Sequence, residues 1–287
     1  MTAIRLALAG ALLAGAASAH ADDWNDPQEP FAIYGNTYYV GVRGLSAVLI
    51  TSPDGHILID GGSPDSPAQI AAHIGQLGFK VEDIKYILNS HEHFDHAGGI
   101  AALQAWSGAT VLSSRRGATV LRSGRPNRAD PQYSARTPAM AAMPRVRALD
   151  DGQVLSLGEL RVTAHYTPGH APGGVSWTWQ SREGERSANM VYADSISAYA
   201  AKPFRYSGSA RYPQARAQLE RSIGVIAALP CDILISAHPE VGELWTRKAR
   251  ADSEGNGAFI DPAGCRAYAA KGQARLSTLL AEEAQAK

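Results

Sequence analysis

Residues 91–99 read His91-Glu92-His93-Phe94-Asp95-His96-Ala97-Gly98-Gly99, and the reading of the whole chain turns on them. The pattern is H-x-H-x-D-H, placed directly after the apolar, strand-length run Ile84–Leu88. In extended backbone, residues two apart point the same way, so His91 and His93 can serve one metal ion together. Asp95 and His96 fall at the start of the next helical stretch and can turn toward a second. Neutral imidazoles and one carboxylate in so short a span suit borderline zinc better than magnesium or calcium. The glycine pair that follows permits close backbone packing.

Upstream, short extended runs at Phe31–Tyr34, Thr37–Val42 and Leu45–Thr51 lead through the turn residues Pro53-Asp54-Gly55 to a strand at His56–Asp60. Ser66-Pro67 predicts a helix start, with Ser66 as its cap and Ile70, Ile74 and Leu77 as its apolar face. His73 is placed off that face. Downstream come a helical stretch to about Trp106, a strand at Thr110–Ser113 and a short helix near Arg116–Leu121. Residues 123–139, rich in Pro, Arg, Asp, Ser and Gly, read as an exposed loop. The order then restarts, with strands at Val154–Leu157, Leu160–Tyr166, Val175–Gln180 and Met190–Ala193. A helix at Pro213–Leu229, a strand at Asp232–Ser236 and a terminal helix from about Pro262 complete it. Two comparable halves, each with a mixed sheet and covering helices, define an α/β, two-sheet fold.

Two more histidines sit just past strands, where sheet-based sites are commonly built. They are His170 in Thr167-Pro168-Gly169-His170 and His238 in Ser236-Ala237-His238-Pro239. His20, His56, His73 and His165 are read as structural or surface residues.

The first nineteen residues carry Arg5, an apolar run from Leu6 to Ala17, and Ala17-Ser18-Ala19. That is the pattern of a secretory signal peptide, so residues 1–19 are expected to be removed and 20–287 to form one exported, periplasmic domain. The run is too short to span a bilayer, and no membrane association is expected. Lys plus Arg and Asp plus Glu number 27 each, which leaves no basic field for nucleic acid. Cys231 and Cys265 are the only cysteines. In an oxidising compartment they are expected to form one disulfide, contributing roughly 4 kcal/mol by the chain-entropy model.

With Leu58-Ile59-Asp60-Gly61-Gly62 upstream and TPGH and SAHPE downstream, the histidine cluster resembles the metallo-β-lactamase superfamily over nearly the whole mature chain. Within it, TPGHAPGG at Thr167–Gly174 and Tyr192-Ala193-Asp194-Ser195-Ile196-Ser197 are most similar to subclass B3. The resemblance implies an αβ/βα four-layer sandwich, two mixed β-sheets with helices on the outer faces and two Zn2+ ions between the sheet edges. It implies His91, His93 and His170 on the first zinc, Asp95, His96 and His238 on the second, and Asp60 holding the ligand loop from behind. Ser195 stands where another subclass has a cysteine ligand. Ser195 and Ser197 would bind the substrate carboxylate, directly or through water. The cysteine pair also resembles the family's disulfide.

The implied activity is hydrolysis of the β-lactam amide of penicillins, cephalosporins and carbapenems by a zinc-bound hydroxide, with Asp95 both ligating and orienting it, and hence antibiotic resistance. The partner is then a small-molecule β-lactam, acted on by a monomer. The rival within the superfamily is a lactonase or a glyoxalase-II-like thioesterase, which gains if Asp194 bridges the metals. A non-catalytic zinc-binding protein is disfavoured, because six N and O ligands over two metals leave coordination positions open. Gln132 is read as a solvated loop residue. Trp24 is read as covering either the cleft or a surface groove, and Tyr199 and Tyr206 as either phenol donors to an oxyanion or packing residues.

Overall fold

The computed structural model describes residues 24–286, so the leader expected at 1–19 lies outside the described residues. Seven strands pair in chain order into one sheet: β1 (Phe31–Tyr34), β2 (Thr37–Tyr39), β3 (Val48–Ile50), β4 (His56–Ile59), β5 (Ile84–Leu88), β6 (Thr110–Ser113) and β7 (Val146–Ala148). The first four are joined by connections of two to eight residues and run antiparallel. From β4 onward the pairs are parallel, which requires crossover connections. Helices α1 (Pro67–Gln76), α2 (Phe94–Ala97), α3 (Ile100–Ser107) and α4 (Arg115–Ser123) lie in these crossovers.

The second sheet has the order β12-β11-β10-β9-β8, from β8 (Val154–Leu157), β9 (Leu160–Tyr166), β10 (Val175–Glu183), β11 (Arg186–Ala193) and β12 (Ile233–Ser236). It is antiparallel except for β11–β12, the pair bridged by α5 (Ala215–Ala228). Helices α6 (Leu244–Glu254) and α7 (Gly264–Gln285) follow β12.

Strand alternation sorts side chains into three apolar layers. Ile57 and Ile59 of β4 join Trp177, Tyr192, Ile233 and Ile235 between the sheets. Leu58, from the same strand, packs outward with Ile70 and Ile74 of α1 and Leu103 of α3. Val191 and Leu234 pack outward on the other side with Leu219 and Ile223 of α5 and Leu276 of α7. Each fully buried aliphatic side chain contributes about 1.5–3 kcal/mol. The result is the four-layer sandwich, helix–sheet–sheet–helix.

Several local expectations are corrected. Ser66 precedes α1 with Pro67 in the first turn, but its hydroxyl makes no cap bond. It donates instead to Asn25 Oδ1 at 2.6 Å and accepts from the Ser63 amide. His73 belongs to the buried face of α1, because 70, 73, 74 and 77 share one side of a 3.6-residue helix; its Nδ1 meets Val40 O at 2.9 Å. The strand predicted to Val42 stops at Tyr39, as Val40 and Val42 turn to bond Ala47 and Leu45. The 123–139 loop is not simply exposed: Asp130 and Pro131 are buried. Strand β7 and helix α6 lack a readable period and were not anticipated.

Cys231 and Cys265 form a disulfide spanning 34 residues, joining the segment before β12 to α7. Replacing both with serine is expected to lower unfolding free energy by about 2–4 kcal/mol in urea titration. An unchanged midpoint would show that packing alone holds α7.

Candidate metal centre

Asp60 follows β4 directly with φ +60, a conformation unfavourable for a residue with a Cβ. The twist turns its carboxylate under the 89–96 loop, where four donors hold it. Ser90 N (2.7 Å) and Asn89 Nδ2 (3.2 Å) donate to Oδ1, and Ser90 Oγ (2.6 Å) and Tyr192 Oη (2.8 Å) to Oδ2. Burial pushes the Asp60 carboxyl up from its usual range, against the opposing pull of His96 and these donors. Close backbone packing finishes the support: a Cβ on Gly99 would lie 2.2 Å from Gly61 O.

On this base, His91 and His93 leave the end of β5, and Asp95 and His96 occupy the four-residue α2. His170 follows β9 and His238 follows β12, so both sheets contribute to one cleft of about 940 Å³. One donor atom each from His91, His93 and His170 lies within 4.8 Å of the others, and the same holds for Asp95, His96 and His238. The two trios adjoin, with the His91 and His96 ring centroids 4.3 Å apart.

The outer ring nitrogens are largely occupied. His91 Nδ1 faces Asp194 Oδ1 at 2.8 Å, out of line for a good hydrogen bond, and Ser90 Oγ at 3.2 Å. His93 Nε2 bonds Asp130 Oδ2 at 2.9 Å. His170 Nδ1 donates to Ser197 O at 2.7 Å, and His238 Nδ1 lies 3.2 Å from Gly44 O. His96 Nδ1, 3.9 Å from Asp60 Oδ2, has no hydrogen bond. Partners on the outer nitrogen fix ring orientation, as they do for ligating histidines.

The donors fit a cation. His91 Nε2 is buried without any partner. His96 Nε2, His238 Nε2 and Asp95 Oδ2 converge at separations of 3.1, 3.2 and 3.4 Å, three lone-pair-bearing atoms with little else to neutralise them. An all-N/O set of imidazoles and one carboxylate matches zinc-type ions.

The electrostatics follow from this crowding. Burial, then repulsion among the imidazoles, holds His91 well below its ordinary value and His170 down to about 3. Burial works against Asp95, yet His96 and His238 keep its carboxyl well below the usual range. For His93, burial is outweighed by Asp130, which raises it to about 9. Burial, then Asp130, pushes Glu92 up to about 7; its carboxylate accepts Gly173 N at 3.1 Å and braces the 91–93 segment against the His170 loop.

Asp194 takes the far side of His91 and belongs to neither trio. Ser195 and Ser197 line the cleft, as do Trp24, Phe94 and the half-exposed Tyr199. Trp24 sits 5.3 Å from the His238 ring. Tyr206 is buried and donates to Gly169 O, so it supports the His170 loop rather than offering a free phenol. Gln132, partly buried, points into the cleft rather than out from the loop: its Nε2 lies 3.2 Å from His170 Nε2. Asp130 was missed altogether, since a lone aspartate 37 positions from His93 in an aperiodic loop carries no pattern.

A family model for the metallo-beta-lactamase superfamily matches residues 40–238. The chain is 64% identical to MEM-A1, a subclass B3 metallo-beta-lactamase isolated from a soil metagenome library, over 92% of this chain and all of that one, with a TM-score of 0.91. Metallo-beta-lactamase SMB-1, solved with mercaptoacetic acid, is 48% identical over 91% and 99% of the two chains, with a TM-score of 0.87. A hydroxyacylglutathione hydrolase of Maricaulis maris is 26% identical over 237 residues, 82% of this chain and 78% of that protein.

His93 provides a test. With its proton held to about pH 9, metal uptake at Nδ1 must displace that proton. Affinity of the first trio should therefore rise with pH from 7 to 9 and level off above. Zinc titration calorimetry in buffers of different ionisation enthalpy should show about one proton fewer released at pH 7 by Asp130→Asn than by the parent. Equal release would remove Asp130 from this role.

Proposed function

The chain belongs to the metallo-beta-lactamase superfamily, subclass B3, and from that premise we propose that it hydrolyses the β-lactam amide of penicillins, cephalosporins and carbapenems at a two-zinc centre. The observation that carries this reading is the pair of three-donor groups side by side in one open cleft. His91, His93 and His170 would hold one zinc, and Asp95, His96 and His238 the other. Bound there, the ions would supply Lewis acidity and acidify a water to near-neutral pKa.

The chain's own groups account for the rest. Asp95, held ionised by His96 and His238, can accept a hydrogen from the attacking water and set its direction. Ser195 and Ser197 present hydroxyls to the carboxylate that every such substrate carries. Trp24, Phe94 and Tyr199 offer apolar surface to the ring substituents. A covalent acyl-enzyme is not called for, and His170 bonds the Ser197 carbonyl and not its hydroxyl. The expected leader and the disulfide between Cys231 and Cys265 support export to the periplasm, where the enzyme would meet antibiotics and confer resistance. No helix among the described residues is long and apolar enough to cross a membrane. We assign residues 20–287 to one catalytic domain acting as a monomer.

The rival lactonase or thioesterase reading would gain from Asp194 lying between the metals. Its place behind His91 favours the lactamase.

The zinc-loaded mature protein should open a carbapenem ring rapidly and lose that activity to a chelator. Asp95→Asn should lower kcat by roughly 10²–10⁴-fold. Hydrolysis of S-acyl-glutathione thioesters with no lactam turnover would replace this reading with the thioesterase.

A further inference from the structure

A second groove, of about 550 Å³, lies beside α4 and meets the metal cleft only at Pro126 and Asn127. Four arginines line it: Arg116 from α4, Arg125 and Arg128 from the following loop, and Arg211. No Asp or Glu is in its lining. Nor does any of the four join an ion pair among the described residues. The chain supplies carboxylates to their neighbours, pairing Arg115 with Asp150 at 2.6 Å and Arg216 with Glu220 at 2.9 Å. The formal net charge is zero, so this is a local concentration and not a general excess.

Two of the guanidinium groups lie within cation–π reach of aromatic rings. Arg116 lies 5.7 Å from the centroid of the buried Tyr212 ring, and Arg211 lies 5.8 Å from those of Tyr133 and Phe204. A guanidinium held near a ring by this attraction keeps its N–H groups available for planar, two-pronged bonds to an oxyanion. It also lowers the ordering cost that a free arginine would incur on binding.

We propose that this groove binds an oligoanion, a molecule carrying several phosphate or sulfate groups. Like charges facing one another across a cavity repel, and one small anion would leave most of that repulsion in place. A ligand with several anionic groups can meet the guanidinium forks together, each through charge-assisted hydrogen bonds. A soluble oligoanion and a cluster of anionic lipid headgroups share this chemistry. The groove does not depend on the hydrolytic reading, and neither claim falls with the other.

Sucrose octasulfate is a suitable soluble probe, because sulfate esters compete poorly for zinc. Calorimetric titration of the zinc-loaded protein at low salt should give saturable binding that weakens as salt is raised. Arg116→Ala combined with Arg211→Ala should weaken it by about tenfold or more. Arg161→Ala with Arg182→Ala removes the same charge from exposed positions on β9 and β10 and should leave it unchanged. Thermal unfolding of each variant checks that the fold is retained. Sedimentation with phosphatidylglycerol vesicles is the second arm, and retention lost only in the groove variant would support a lipid headgroup as the source. No saturable binding to either probe, or equal weakening in both double variants, would overturn the proposal.

Discussion

The buried carboxylate of Asp60 is the constraint on which the site depends. It stands at the end of β4 in the first sheet and receives Tyr192 Oη from β11 in the second, together with the backbone and side chain of Ser90 between them. One group thus ties both sheets to the loop that carries four of the six candidate metal donors. A carboxylate removed from water is costly unless its lone pairs are satisfied, and here four donors satisfy them. The strained φ of Asp60 is tolerated because this network over-determines it. With the 89–96 loop set from below, the direction of His91, His93, Asp95 and His96 follows from chain geometry.

The remaining donors arrive on separate supports. His170 rides a loop fastened by Tyr206 to Gly169 and by Glu92 to Gly173, and His238 sits just after β12 under Trp24. Bringing five imidazoles and a carboxylate into one cleft is unfavourable in itself: burial and mutual repulsion depress His91 and His170, while Asp130, with Asp95, raises His93. A divalent cation in each trio would resolve this conflict by replacing protons as the positive charge. The crowding is therefore best understood as preparation for metal. The likeness to subclass B3 structures and the donor geometry point to the same chemistry by independent routes.

Much of this was legible in the sequence because it is local or periodic. H-x-H-x-D-H compresses four candidate donors into six residues, and the short strand-length runs Ile84–Leu88 and Leu160–Tyr166 have the bounds observed in the structure. Asp60 was found only through its resemblance-bearing context, Asp-Gly-Gly after a strand. What stayed hidden depends on tertiary contact. Asp130 and Gln132 sit in a loop without period and acquire meaning only when it folds back onto His93 and His170. Strand β7 is three residues long and exists by pairing with β6. The polar surface of α6 masks its helical period, and Ser66 gave up its cap role to Asn25, 41 residues away.

The central claim is that this chain holds two zinc ions in two neighbouring three-donor sites. Anomalous diffraction from crystals of the zinc-loaded protein, collected on either side of the zinc edge, tests it most directly. The account predicts two adjacent peaks, one within bonding distance of His91, His93 and His170, the other of Asp95, His96 and His238. A single peak at full zinc loading, or a pair of peaks bridged by Asp194, would contradict it.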